Sequence, residues 1–424
     1  SPPPMAVVLR ATWAAPPCLS LLRVLALLRL ALPVQGLRMQ DSEGHESADG
    51  QQVKPFMEAL RELAQQRGSG ELCLYSPGPF VGRLSNTVAM MNVALRAAVD
   101  SGARYVWPNY YTEYFKEEGF DDIFGRGDDG PCSRHQVEVY APVCPPGGVK
   151  VPASVGRCST AELLMSTVTA HSVVSDEMCG CRRAVYLNGN ELFWDHNYTR
   201  TAALLSRRYW ASHREPLTLP VAPGATSMEF MRGKKPQVVM HVRLGDIENN
   251  CELKFTPYNC RKKLQVEVYE QTLGALFSVL PPSCVDVNFV TDGHRDSPDI
   301  VRLMTTITQR GLPAPKIWTG SDLSTAKTFE LLTHADVLVF GSSGFGRLAA
   351  ILGRPETVRI GAPQPWGFDP DPVRFLPNTT QLRPTDAYLR GAGNVVFDMA
   401  EARQLMAKNP ALQALAGSCG ASGH

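Results

Sequence analysis

His241, Arg243 and Asp246 lie within six residues of one another, directly after the apolar run Val238-Val239-Met240. A strand that delivers a guanidinium to its tip offers a fork of donors matched to phosphate oxygens, which a neighbouring carboxylate such as Asp246 can orient. A second tip reads Asn288-Phe289-Val290-Thr291-Asp292-Gly293, where Asp292 is placed to accept from a ribose or base. A third reads Gly341-Ser342-Ser343-Gly344-Phe345-Gly346 after the run 336–340 and opens a helix. Free N–H groups and the Ser342 and Ser343 hydroxyls at a helix start favour an anion. Ligands of open α/β sheets bind beyond the carboxyl ends of the strands, so the three tips together describe a nucleoside-diphosphate pocket. Glu248 and Glu252 follow the Arg243 segment and are within reach as general bases.

Each feature has a plainer explanation when taken alone. A strand-end histidine is often a satisfied core residue, an Arg–Asp pair is usually structural, and Ser and Gly populate ordinary caps. The third tip matches neither a Walker A loop nor the G-x-G-x-x-G order of dinucleotide folds, which sets NAD-dependent chemistry aside. Asp369-Pro-Asp371 lies among prolines and reads as loop; Asp128 and Asp129 read as a solvated turn. The C-x-C of Cys179 and Cys181 lacks a second ligand pair at zinc spacing, so no metal site is expected.

The elements that must hold these tips follow from periodicity. Residues 53–68 have apolar positions at helical spacing, followed by a short strand at 71–77, a turn and long helix at 82–102, and a strand at 103–108. Strand, helix, strand at that spacing is a right-handed βαβ unit of a parallel sheet. Residues 119–157 are rich in Gly, Pro and Asp and predict loops, while 159–171 predicts a helix and 182–189 a strand. The Pro-rich stretch 213–227 marks a boundary. Beyond it strands at 237–242, 285–290, 315–319, 336–340 and 357–360 alternate with helices at 262–279, 298–310, 324–333 and 345–352, a doubly wound pattern. A last helix over 400–416 is expected to pack back on the first domain. The division is then a leader at 1–40, a stem and linker helix at 41–70, an acceptor-side domain at 71–225, a nucleotide-sugar-binding domain at 226–400 and a tail at 401–424. The predicted class is α/β, with two Rossmann-like doubly wound domains facing a central cleft.

Composition excludes some functions. Lys+Arg number 42 against 41 Asp+Glu, so no global field points to nucleic acid. The first 40 residues hold no acid and four Arg, and read as a signal peptide, a signal-anchor or a transit peptide. Ten Cys remain of 11 once Cys18 is set aside, and N-x-T sequons stand at Asn197 and Asn378. With the leader these favour the secretory route, the Golgi or endoplasmic reticulum lumen, with membrane attachment through the leader as a type II arrangement. Pairing of Cys251 with Cys260, and of Cys179 and Cys181 elsewhere, is expected.

The succession H-x-R-x-G-D at 241–246, F-V-T-D at 289–292 and A-D-V-x-V-x-x-S-S-x-F from 335 resembles the C-terminal motifs of the GDP-fucose fucosyltransferase superfamily, whose α1,2-, α1,6- and peptide-O-fucosyltransferases have GT-B folds. Gly82-Arg83-Leu84-Ser85-Asn86 is similar to that family's G-R-L-x-N-Q turn. The resemblance implies that Arg243 binds the diphosphate and assists its departure, with His241, Asp246, Asp292, Asp336, Ser342, Ser343 and Phe345 around the nucleotide. It implies Gly82, Arg83 and Asn86 on the acceptor side, with Asn86 beside Arg243 in the chemistry; Glu248 joins them as a candidate base by its position after the Arg243 segment, not through the resemblance. The donor would be GDP-fucose, no cofactor or metal would be needed, and the acceptor would be a glycan or glycoprotein. Leu244 stands where the α1,2- and α1,6-enzymes carry a second Arg, and Thr87 where Gln is usual. These departures leave a catalytically inactive nucleotide- or glycan-binding relative as the alternative.

Overall fold

A computed structural model describes residues 56–67, 72–75, 84–107, 123–124, 135–143, 164–173, 183–186, 198–213, 218–219, 228–229, 235–244, 266–341, 343–362, 375–383, 385 and 396–421. All of these belong to one compact unit, Val53–His424.

The first half contains α1 (Phe56–Arg67), β1 (Leu72–Tyr75), α2 (Leu84–Ser101), β2 (Arg104–Tyr105), β3 (His135–Val143), β4 (Leu164–Val173), β5 (Arg183–Tyr186) and α3 (Ala202–Ser212). Its sheet runs β2-β1-β5-β3-β4 and is parallel except where β3 meets β4. Two expectations are corrected here: the supposed loop region contains β3, and the helix expected at 159–171 is β4. Thr167, Val168, Thr169 and Val173 are β-branched, a weak composition for a helix, and pairing with the alternating Val137, Val139 and Val143 stretch favours the strand. The doubly wound pattern in this half thus ends in an antiparallel edge hairpin.

A small pair, β6 (Thr218–Leu219) and β7 (Met228–Glu229), precedes the second half. There follow β8 (Gln237–Val242), α4 (Val266–Leu276), β9 (Asp286–Thr291), α5 (Pro298–Gln309), β10 (Lys316–Trp318), α6 (Thr325–Thr333), β11 (Val337–Phe340), α7 (Gly344–Leu352), β12 (Val358–Gly361), β13 (Thr379–Gln381), α8 (Met399–Ala407) and α9 (Pro410–Ala421). The sheet order β10-β9-β8-β11-β12-β13 is wholly parallel, the 3-2-1-4-5-6 order of a Rossmann fold. β13 is a sixth strand that the sequence pattern did not announce.

Alternation along β8 sends Val238, Met240 and Val242 into a core shared with α4, α5 and α8. Val239 faces the other way, into a core that joins α6 and α7 to Leu84, Val88 and Met91 of α2 and to Leu205 and Tyr209 of α3. The hydroxyl of Tyr209 lies 2.6 Å from Thr333 Oγ1, and Trp210 Nε1 donates to Leu352 O at 2.8 Å, which ties α3 to the ends of α6 and α7.

The C-terminal segment also departs from expectation. Pro410 lacks an amide hydrogen and disfavours helix at Asn409, so two helices form instead of one. They pack on the second half, not the first: Met406 and Leu412 join the α4 core, and a disulfide links Cys419 to Cys284. Cys73 is disulfide-bonded as well. The pairings expected for Cys251, Cys260, Cys179 and Cys181 lie outside the described residues.

Candidate functional site

The strand order reverses between β8 and β11, and their C-terminal tips carry His241 and Arg243 on one side and Ser343 and Gly344 on the other. Such a switch point leaves a crevice between diverging connections, where Rossmann-type sheets take their ligands.

His241 and Arg243 share the α7 face with Val239 by strand alternation. His241 is 6% exposed, and its Nδ1 is buried without a hydrogen-bond partner. Burial lowers its pKa to about 4, opposed by the Asp292 carboxylate and reinforced by the Arg243 guanidinium. The imidazole is therefore neutral at physiological pH, a polar ring without charge beside the Arg243 guanidinium. Its ring lies 5.8 Å from that of Phe345, which packs edge-on against Phe329 at 5.1 Å. Phe345 thus braces His241 through its ring and holds the first turn of α7 on the core.

The segment after β8 is pinned from β9. Asp292 Oδ1 accepts the Leu244 amide at 2.8 Å, while the Leu244 side chain is buried in the α4-side core. A Cβ on Gly293 would lie 3.0 Å from Leu244 Cβ, so a side chain there would press the two turns apart. Position 244 points away from Arg243, and a charge there would enter an apolar core. Asp292, read from sequence as facing a ribose, directs one oxygen to the main chain beside Arg243.

At the third tip, Ser343 N-caps α7 and is 3% exposed, with no hydrogen bond from its side chain to the cap. A Cβ on Gly344 would lie 2.7 Å from Ser85 Oγ, which places the start of α7 against the first turn of α2. Gly346 is equally constrained, since a Cβ would approach His241 Nδ1 at 3.0 Å and Phe340 Cβ at 3.2 Å. The glycines of the G-F-G run are thus close-approach positions: one admits Ser85, the other the His241 ring. Two helix N-termini, of α2 and α7, meet beside a neutral histidine and an arginine. Both helix dipoles direct positive potential there, an arrangement suited to an anion.

The far end of α7 is held by a residue that sequence reasoning passed over. Arg359 is 1% exposed, and its guanidinium donates to the carbonyls of Ala350, Gly353, Arg354, Thr357 and Pro377 at 2.7–3.2 Å. Burial lowers its pKa to about 10, opposed by Glu356, so it stays charged at neutral pH at the negative end of the helix dipole. A lone Arg inside the run Thr357-Val358-Arg359-Ile360 was the available signal.

Other expected positions fall differently. Asp336 stands at the N-terminal start of β11, where Oδ2 accepts the Gln237 amide at 2.8 Å. It is at the opposite end of the sheet from Arg243, and its place at the nucleotide is withdrawn: it registers β8 against β11. Asn86 lies in the first turn of α2. Gly82, Arg83, Asp246, Glu248 and Ser342 lie outside the described residues.

No family profile and no curated protein matches the chain. Among solved structures, the chain is similar to a UDP-forming α,α-trehalose-phosphate synthase from Burkholderia vietnamiensis at 13% identity and TM-score 0.29, over 87% of this chain and 64% of that one. A UDP-forming synthase from Burkholderia xenovorans gives 13% and 0.27, over 87% and 67%. POFUT1 in complex with GDP gives 10% and 0.29, over 67% and 94%. The chain spans less than two thirds of the length of the Burkholderia vietnamiensis synthase.

Proposed function

We propose that the chain is an inverting glycosyltransferase that moves fucose from GDP-fucose to a hydroxyl of a glycan or glycoprotein. The observation that supports this reading is the meeting of Arg243, the neutral His241 and the N-termini of α2 and α7 at a Rossmann switch point. In a single displacement the acceptor oxygen bonds to the anomeric carbon as its bond to the diphosphate breaks. Positive charge develops on the sugar ring and negative charge on the leaving diphosphate. Arg243 and the α7 amides are suited to stabilise the diphosphate, and His241 can share a proton with a phosphate oxygen without adding charge. Asn86 and Glu248 are the proposed acceptor-side groups, Glu248 as base. The H-x-R-x-G-D run supports fucose as the sugar, and the disulfides support an oxidising secretory compartment.

The test is a panel of nucleotide sugars scored for hydrolysis, with calorimetry using GDP, on the wild type and Arg243→Ala. Hydrolysis of GDP-fucose that Arg243→Ala abolishes, with GDP affinity reduced and the thermal transition kept, is expected. GDP binding without turnover of any sugar would instead select the inactive receptor. Full turnover by Arg243→Ala would remove the assignment of the site.

A further inference from the structure

We infer that Gln381 reads the base of the bound nucleotide. The inference rests on the nucleotide-binding reading above and names the residue that gives it specificity. In register, Met240, Val339, Ile360 and Thr380 form one row across β8, β11, β12 and β13. One residue further toward the tips, Phe340, Gly361 and Gln381 continue the row of His241. Leu382 belongs to the α4-side core, so alternation puts Gln381 on the α7 face, the face of His241 and Arg243. Gln381 therefore shares both the edge and the face of the anion site.

Its amide is held and left incomplete. The side chain lies flat over Gly361, where an added Cβ would stand 2.7 Å from Gln381 Cδ. Nε2 donates to Leu382 O at 3.4 Å, while Oε1 is buried and has no hydrogen-bond partner. A buried carbonyl oxygen without a donor is an unmet acceptor, so the group is set to accept from a ligand. Exchanging the two ends of the amide only moves the deficit to a donor. The distance from the β11 tip is two strand spacings, roughly 10 Å, the reach of a ribose and base from a phosphate held at α7. A nucleobase edge presents the N–H and C=O groups that such an amide pairs with. Glycine at 361 is what lets the amide lie where it does.

Calorimetry with GDP, ADP, UDP, CDP and inorganic pyrophosphate tests the assignment on the wild type, Gln381→Met and Gly361→Ala. Methionine keeps the length and removes the amide, whereas alanine at 361 displaces the amide and leaves its chemistry intact. Both variants should lose about tenfold or more in affinity for the preferred nucleoside diphosphate, flatten the ranking of the four, and leave pyrophosphate binding unchanged. If Gln381→Met does not fold, Gly361→Ala decides by itself. A ranking that the folded variants retain, or pyrophosphate binding that falls in parallel, overturns the assignment alone. A wild type that binds none of the diphosphates overturns the nucleotide reading and takes this assignment with it.

Discussion

Gly346→Ala separates the two things α7 does, holding the fold and presenting the site. In an ordinary helix interior the exchange would stabilise by about 0.5–1 kcal/mol, since alanine loses less backbone freedom on folding. Here the new methyl would stand 3.0 Å from His241 Nδ1 and 3.2 Å from Phe340 Cβ. Phe340 Cβ is fixed by the β11 backbone, so the His241 ring must yield by a few tenths of an ångström. Overpacking of this kind costs about 1–3 kcal/mol. The two terms nearly offset, and the net loss of about 0–2.5 kcal/mol should lower the thermal midpoint by no more than several degrees. The site has no offsetting gain, because the displaced imidazole and α7 amides no longer converge on one anion. Loss of about 1.4 kcal/mol of that preorganisation is a tenfold weaker Kd for GDP. Differential scanning fluorimetry and GDP calorimetry read the two quantities on the same preparation. A variant whose GDP affinity stays within about twofold of wild type, at a midpoint showing that it folds, would refute the placement of His241 against the anion.

Two other predictions follow from burial and from the disulfide. His241 and His334 both have folded pKa values lowered to about 4, chiefly by burial, so the folded state resists their protonation. The unfolded chain takes up those protons below about pH 6.5. Stability is therefore fully present above about pH 6.5, falls as pH drops toward 4, and loses roughly 3 kcal/mol for each of the two. His334→Gln should flatten the slope of thermal midpoint against pH in that window, and an unchanged slope would exclude His334 as a source. The Cys284–Cys419 bond closes a loop of 135 residues, for which the chain-entropy account gives about 4–5 kcal/mol. Replacing both with Ser should lower the midpoint by many degrees and leave GDP affinity unchanged; weakened GDP binding at low temperature would mean that α9 also supports the site.

The second sheet was legible because its strands are short apolar runs and its helices keep one period. Charge placed directly after an apolar run is by that fact at a strand tip, which is why the positions of His241, Arg243 and Asp292 at strand tips were legible in the sequence. The first sheet was less legible. Leu164–Val173 satisfies a helical pattern about as well as an extended one, and only β3 alongside it resolves the choice. Asp336 shows the opposite fault. It precedes its strand and so had to lie at the far end of the sheet, a fact already present in the sequence and outweighed by motif similarity.

The sequence by itself determined the α/β class, the strand tips of the second half and the guanidinium at one of them, because periodicity and position along a strand are local. The tertiary structure decided which tips are neighbours, since the order β10-β9-β8-β11-β12-β13 brings residues about a hundred positions apart to one crevice. It also decided why Gly344 and Gly346 are glycine, why position 244 is apolar, and that the Gln381 amide oxygen is left without a partner. Each of these is a contact between elements distant in the chain. No local pattern records such contacts, because the space left for a side chain is fixed only when a second element packs against it.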